Sequence, residues 1–220
     1  MPGRRASEEF RRDQLLAAAF TVATRTRLEG LTIRAVAREA GLSPGLVLFH
    51  FASRDALLIA LLDRLLAETI VGEATAEILA LPSARARLLA LLARELELLP
   101  GRRTRLELFF DYWVVGIGHR AIRGRIQRAL QRYRDAILPL AEAVVAEEGG
   151  RLGGVVTGAD LAGLVVALIE GCVMQAVVDP KAFDVGRALT TIAAVIAPPP
   201  VEAAATAPAR RRARAPARRR

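Results

Sequence analysis

The residues LTIRAVAREAGLSPGLVLFHFASRDAL, from Leu31 to Leu57, contain two short helix patterns separated by a glycine. Thr32 is a good helix cap, and apolar residues follow it at positions 33, 36, 37 and 40, the spacing of one buried helical stripe. Gly41 ends this helix, and Ser43 followed by Pro44 begins the next, because proline is tolerated in a first helical turn. Helices that meet so closely cannot be coaxial, so this stretch predicts a sharp helix-turn-helix corner.

The second short helix has two different faces. Val47 and Phe51 are four residues apart and are predicted to pack inward together, which turns Gly45, Leu48, Phe49 and Ala52 outward. The outward face is apolar, and an apolar face is unusual in contact with water alone. The pattern leaves two interpretations open: this face lies against DNA, or it packs against the helix that follows.

The rest of the chain also favours helices. Its 220 residues are 53% hydrophobic but only 5% aromatic, and they are rich in Ala and Leu, which predicts a nearly all-α protein with a substantial core. Helical spacing and Gly/Pro breaks predict further helices at 13–27, 84–99, 103–119, 122–148, 160–178 and 183–196. We predict a small helix-turn-helix domain over 1–52, a larger helical domain over 53–197, and a tail over 198–220; the resemblance described below implies DNA binding for the first and effector binding and dimerisation for the second.

The net charge of +9 is concentrated in that tail, which holds seven arginines against one glutamate. Pro, Ala and Arg without periodicity predict a disordered segment. Its arginines could bind DNA phosphates without sequence preference, or the tail could be a solubilising extension. The first of these supports an alternative function for the whole protein, that of an architectural or non-specific DNA binder.

Other features bear on compartment and chemistry. The N-terminal residues contain no apolar signal segment, the apolar run at 161–169 is too short to span a bilayer, and the single cysteine, Cys172, suits a reducing compartment, so we predict a cytoplasmic protein with no membrane partner. With only His50 and His119, no metal-ligand spacing and no glycine-rich phosphate loop, we predict neither an enzyme nor a metal site nor a cofactor.

The stretch from Leu31 to Leu57 resembles the DNA-binding domain of the TetR-family transcriptional regulators. The residues that carry the likeness are Thr32, Val36, Ala37, Ala40, Gly41, Leu42, Ser43, Gly45, Val47, His50, Phe51, Ser53, Arg54 and Leu57. Two positions depart from the family pattern: Leu48 stands where many relatives have tyrosine, and Arg27 occupies the region before the Thr32 cap where relatives usually have glycine. The resemblance implies a ligand-responsive regulator, most simply a repressor, that binds a palindromic operator as a homodimer.

The resemblance also implies roles for individual residues. It places Thr32 and Arg34 near DNA at the start of the second helix, and it matches His50 and Arg54 to positions that contact the DNA backbone. Their other interpretations are a simple helix cap for Thr32 and a solvated charge for Arg34. Because no charged residue lies from Ser43 to Phe51, base readout is expected to depend on Arg34 and on four residues of the second short helix and its cap: Ser43, Gly45, Leu48 and Phe49.

The larger domain contains candidates for two further sites. Phe110, Trp113 and Ile117 form a helical stripe that could line a cavity for a small, mainly apolar organic effector, with Gln175 or an arginine as a polar contact, or could simply be core. The small residues Gly163, Ala167 and Gly171 recur every four residues and permit close helix approach. The resemblance places the dimer interface in the last two helices, which include them.

Overall fold

The computed structural model describes residues 7–67, 75–149 and 154–196, and these residues form helices and no strands. The helices are α1 (Glu8–Thr26), α2 (Ile33–Ala40), α3 (Pro44–His50), α4 (Arg54–Ala67), α5 (Ala76–Leu79), α6 (Ala84–Glu97), α7 (Leu99–Gly118), α8 (Arg120–Glu147), α9 (Gly158–Val178) and α10 (Val185–Ile196). The predicted all-α fold is confirmed. The predicted basic tail lies outside the described residues, whereas the turn α5 was not predicted.

Two helices begin four or more residues earlier than predicted, for local reasons. The Ser7 hydroxyl accepts a hydrogen bond from the Phe10 N–H at 3.2 Å, so α1 begins at Glu8, where acidic residues also favour a helix N-terminus. Pro100 lies in the first turn of α7 rather than in a loop, because that turn needs no N–H donor from it. The Pro100-Gly101 pair is therefore part of a helix and not a break between helices.

The first core joins α1, α2, α3 and α4 and continues into α7 and α8. Leu15, Val36 and Leu61 are fully buried within it, and so is Tyr112 from α7. The Tyr112 hydroxyl donates a hydrogen bond to the carbonyl of Leu58 at 2.8 Å, and burial of the ring raises the pKa of this phenol well above its usual value. The N-terminal head, which we define as residues 7–53, shares this core with α4, α7 and α8 and is therefore packed directly against the larger domain.

The second core lies between α6, α8 and α9, with α10 along one side. α9 spans 21 residues, longer than the apolar run visible in the sequence, and its length and composition would allow it to cross a bilayer. Its residues Ala162, Val165 and Val166 are nevertheless buried against the other helices of this core. About a third of this apolar stretch is buried in the core, and its other apolar residues lie on the surface of the described part of the chain.

Candidate nucleic-acid interface and effector cavity

The corner between α2 and α3 is built by caps that the sequence predicts. The Thr32 hydroxyl accepts from the Ala35 N–H at 3.1 Å, which fixes the first turn of α2. Gly41 ends α2 with φ of 65°, a left-handed conformation that glycine adopts without steric cost, and the next N–H, from Leu42, donates to the Ala37 carbonyl at 2.9 Å. The Ser43 hydroxyl then accepts from the Leu46 N–H at 3.2 Å and begins α3.

The two faces of α3 have the predicted orientation. Val47 and Phe51 are buried, with 0% and 2% of their surface exposed. Leu48 and Phe49 point away from the core, with 46% and 74% exposed. Packing against α4, the second interpretation of this face, therefore does not account for it, and a short helix presents two large apolar side chains to the surroundings of the protein.

Contacts from α1 support α3 from behind. The guanidinium of Arg12 lies 4.6 Å from the centre of the Phe51 ring and donates to the carbonyl of His50 at 3.3 Å. The amide of Gln14 donates to the carbonyl of Ala40, also at 3.3 Å, at the end of α2. The sequence pattern did not reveal these contacts, because they join residues 26 or more positions apart.

The other residues predicted to approach DNA are mostly exposed. Thr32, Arg34, Ser43 and Gly45 are exposed, and a Cβ added at Gly45 would touch the Ser43 hydroxyl oxygen at 3.9 Å, an ordinary contact. His50 is half-buried, with its ring 5.2 Å from the ring of Phe49.

Arg54 has a structural task as well as its predicted one. Its Nε donates to the carbonyl of Leu31 at 2.8 Å, and its Nη2 donates to the carbonyl of Leu28 at 2.6 Å. The side chain thereby ties the start of α4 to the loop between α1 and α2, a contact that the sequence pattern did not indicate. The guanidinium has further N–H groups that do not bond to these two carbonyls, and contact between them and DNA phosphate stays a prediction.

A cavity of about 680 Å³ opens between α7, α8 and α9. Phe110, Trp113 and Ile117 all line it, as the sequence predicted for an effector site. The ring of Trp113 meets that of Phe109 edge to face, with centroids 6.4 Å apart. Because Ile117 and Trp113 are also partly exposed, the cavity opens to the surface along α7.

The polar groups of the cavity match only one of the two predicted alternatives, an arginine. Gln175 does not line it; this side chain is exposed and donates weakly, at 3.5 Å, to the carbonyl of Gly171 one turn earlier in α9. The polar residue that α9 does contribute is Glu170. Burial raises the pKa of its carboxyl, and the positive charge of Arg134 lowers this pKa by a smaller amount. Burial also raises the pKa of the neighbouring Tyr133 to about 12. Arg132 of α8 lines the cavity as well.

Arg27 is the residue of the head that reaches this cavity, among those the structure describes. It follows the last residue of α1 and its guanidinium pairs with Oδ1 of Asp111 on α7. Its backbone has φ of 59° and ψ of 178°, a region that side-chain-bearing residues rarely occupy, and strain there costs roughly 1–3 kcal/mol. The sequence showed that a glycine was absent here, but not where the side chain goes.

The predicted dimer residues lie on an outer surface of α9. Ala167 is exposed, Gly163 and Gly171 are partly exposed, and a Cβ added at either glycine would meet no neighbouring atom of the described residues within 4 Å. Large apolar side chains of α9 and α10 are exposed as well, namely Leu164, Met174, Val178 and Val195. These helices therefore present an apolar surface that the described part of the chain does not cover. Among the described residues, no group of three or more histidine, cysteine or acidic side chains could hold a metal ion.

Two family models match the chain. The model described as "Bacterial regulatory proteins, tetR family" matches residues 15–61, and the one described as "BetI-type transcriptional repressor, C-terminal" matches residues 84–198, more than half of the chain.

One curated relative and two solved structures illustrate the similarity. The HTH-type transcriptional regulator BetI of Paraburkholderia phymatum is 28% identical over 124 residues, which cover 56% of this chain and 63% of that protein, a little under two thirds of its length. A crystal structure assigned to a TetR-family regulator of a Rhodococcus species is 25% identical with a TM-score of 0.62, covering 84% of this chain and 96% of that one. A regulator structure from Saccharomonospora viridis, in complex with choline, is 23% identical with a TM-score of 0.65, covering 86% of this chain and 96% of the other.

Proposed function

Because this chain belongs to the TetR family of bacterial transcriptional regulators, we propose that it is a ligand-responsive repressor that binds a palindromic operator as a homodimer. It acts in the cytoplasm on double-stranded DNA and carries out no catalysis. The observation that carries the DNA-binding part is the outward face of α3, where Phe49 is 74% exposed although Val47 and Phe51, two residues before and after it, are buried.

The chemistry of this face suits the major groove. Leu48 and Phe49 offer apolar contacts to thymine methyl groups and sugars, and Gly45 lets the helix backbone approach the DNA closely. Thr32 caps the N-terminal end of α2, where backbone N–H groups favour phosphate, and Arg34 offers its guanidinium to base edges from the first turn of the same helix. α3 and Arg34 therefore read bases, while the Thr32 cap and Arg54 position the head on the backbone.

A dimer follows from the exposed apolar surface of α9 and α10. A two-fold symmetric pair brings two copies of α3 to DNA, and a palindromic operator mirrors this symmetry. Gly163, Ala167 and Gly171 let α9 of one subunit approach the partner closely, and the exposed apolar side chains around them supply the buried area.

The effector is a small organic molecule that enters the cavity along α7. The volume of about 680 Å³ falls within the range of sites for such ligands, and the walls are mainly aromatic and aliphatic side chains. The regulator from Saccharomonospora viridis holds choline, which supports the idea that this fold accommodates a small organic ligand. In our chain, Glu170 and the rings of Trp113 and Tyr133 provide polar and aromatic contacts for such a molecule.

Selection of bound fragments from random DNA tests the proposal. We expect an enriched palindrome whose half-sites are separated by about one helical turn or a multiple of it. The same selection with a chain that lacks residues 198–220 distinguishes the alternative function. A regulator keeps its preference for the palindrome, whereas an architectural binder driven by the arginine tail loses most of its binding. Enrichment of no sequence by either chain would contradict the proposal.

A further inference from the structure

We infer that the ion pair between Arg27 and Asp111 transmits occupancy of the cavity to the DNA-binding head. This inference deepens the proposed function and rests on it. It explains how a ligand bound in the larger domain can alter the DNA-binding surface of the head, namely through one contact between the head and the larger domain.

On the cavity side, the pair is placed to sense a ligand. Arg27 lines the cavity although it belongs to the head, and its partner Asp111 follows Phe110, which also lines the cavity. The second carboxylate oxygen of Asp111 is buried and has no hydrogen-bond partner among the described residues, so the Arg27 guanidinium is the contact that balances this charge. A molecule that touches Phe110 and Arg27 therefore acts on both members of the pair.

On the DNA side, Arg27 begins a short loop with little freedom. Leu28 and Leu31 are buried, and their carbonyls both accept hydrogen bonds from Arg54. At Gly30 the packing is so close that an added Cβ would lie 2.3 Å from the Thr26 hydroxyl oxygen. The residue after this loop is Thr32, the cap of α2. A shift of Arg27 is therefore passed to the end of α2 that faces DNA, because the loop cannot absorb it.

The backbone of Arg27 supports a role for its side chain. The conformation, with φ of 59° and ψ of 178°, is one that glycine adopts freely, so this chain keeps an arginine where the backbone favours a residue without a side chain. What the arginine adds at this position is the contact with Asp111 and with the cavity wall.

The coupling has a definite direction. With the cavity empty, the ion pair holds the end of α1 against α7 and the head in its DNA-binding position. A ligand that enters between α7 and Arg27 separates the pair and releases the loop. Only a difference in ligand affinity between the two states can shift their populations, and by reciprocity DNA must weaken ligand binding by the factor by which the ligand weakens DNA binding.

The experiment measures this factor with 1-anilinonaphthalene-8-sulfonate, an aromatic dye with an anionic group that suits an apolar cavity next to Arg27. Trp113 is the only tryptophan in the chain and lines the cavity, so energy transfer from it to the dye reports binding at this site. The dissociation constant of the dye is measured for the full chain, alone and with saturating operator DNA from the selection experiment. In the wild-type protein we expect operator to weaken dye binding by about 5-fold or more, the usual size of such couplings.

Three variants locate the coupling. In Arg27→Gly, which relaxes the backbone, and in Asp111→Asn, which does not alter a cavity-lining residue, we expect the ratio of the two dissociation constants to fall below about 2, and the double variant should match the single ones because the residues act as a pair. Arg25→Ala is the matched control: it removes a 2.8 Å ion pair with Glu39 that lies within the head, two residues away, and it should keep the wild-type ratio.

The outcomes separate the inference from the proposed function. A wild-type ratio that persists in Arg27→Gly and in Asp111→Asn overturns the inference but leaves a ligand-responsive regulator. A loss of coupling in Arg25→Ala as large as in the other variants also overturns it, since any change at the end of α1 would then suffice. If the wild-type protein shows no energy transfer, or a ratio of one, the proposed ligand response fails and the inference fails with it.

Discussion

Phe49 and Val47 lie two residues apart on opposite faces of α3, and truncating each to alanine separates DNA binding from stability. Phe49 is 74% exposed, so only about a quarter of its surface is shielded from water. Full burial of such a side chain stabilises a protein by about 1.5–3 kcal/mol. A quarter of that is roughly 0.5 kcal/mol, so Phe49→Ala should leave the free energy of unfolding almost unchanged. Val47→Ala removes two fully buried methyl groups, which costs about 2 kcal/mol including the cavity left behind.

The order of the effects reverses for operator binding. If α3 lies in the major groove, loss of the Phe49 ring removes contacts whose size we take as about 1–3 kcal/mol for each half-site, the usual range for one base-pair contact. A dimer carries two copies of α3, so Phe49→Ala should weaken binding to the whole operator by about 2–6 kcal/mol, at least about 30-fold. Val47→Ala should weaken binding much less at a temperature where the variant is still folded.

Urea unfolding at one fixed protein concentration and fluorescence anisotropy with a labelled operator measure the two quantities on the same samples. The fixed concentration is needed because the stability of a dimer depends on it. If Phe49→Ala binds the operator within about 2-fold of the wild-type protein, the outward face of α3 is not a DNA-binding surface and the reasoning from its exposure is refuted.

Substitutions of five other residues give further predictions. Arg34→Ala should lower operator affinity and relax sequence preference without changing stability. Arg54→Ala should lower stability by about 1–3 kcal/mol because two carbonyls lose their donor, and, if Arg54 also contacts phosphate, it should reduce the salt dependence of operator binding by about one unit of slope. Anisotropy titrations at several salt concentrations and thermal unfolding scans measure these effects. Gly163→Leu should leave the subunit folded, since the site is open within the chain, but break the dimer; an undisturbed dimer in sedimentation analysis would place the interface elsewhere. Tyr112→Phe should cost about 1–2 kcal/mol through its lost buried hydrogen bond, seen as a lower midpoint in thermal unfolding. Because burial raises the pKa of Glu170, the folded state binds the Glu170 proton more readily than the unfolded chain does. The stability that this group contributes is therefore complete below the ordinary carboxyl pKa of about 4.3 and is lost as pH rises through the higher pKa of the folded state. Glu170→Gln should flatten this part of the profile of stability against pH, and an unchanged profile would contradict the prediction.

Local features of the fold could be predicted from the sequence because they depend on neighbouring residues. The capping by Thr32 and Ser43 and the left-handed turn at Gly41 each involve residues within a few positions, so the corner and the inward direction of Val47 were visible in the pattern. The stripe of Phe110, Trp113 and Ile117 could be predicted as a helix face. The sequence left open whether this face borders a cavity or is core, because a cavity depends on how α7, α8 and α9 fail to fill the space between them.

Polar contacts between distant elements were the part that the sequence could not supply. Gln175 and Glu170 both interrupt the apolar pattern of α9, and the choice between them depends on the rotation of the helix, which sets Glu170 toward the cavity and Gln175 toward the outside. Arg54 fits the family pattern for a phosphate contact, yet its guanidinium also serves two carbonyls 23 and 26 residues away. Periodicity identifies the face of a helix, but not the partner that the face meets.

Arg27 shows how an irregularity in the sequence acquires a meaning only from the fold. The absence of a glycine before Thr32 was visible, but Asp111 is 84 residues further along the chain and nothing in the sequence connects the two. A glycine at this position would form no such ion pair, so a signal from the cavity would have to reach the head by another path. A second route from α7 to the head runs through α4, because Tyr112 donates to the carbonyl of Leu58 on α4 and Arg54 of the same helix donates to carbonyls of the loop before α2. Tyr112→Phe leaves Arg27 in place, so the coupling between dye and operator in that variant separates a signal carried by α4 from one carried by the loop after α1. If the loop carries the signal, the ratio of the dye dissociation constants with and without operator stays at its wild-type value. If α4 carries the signal, this ratio falls.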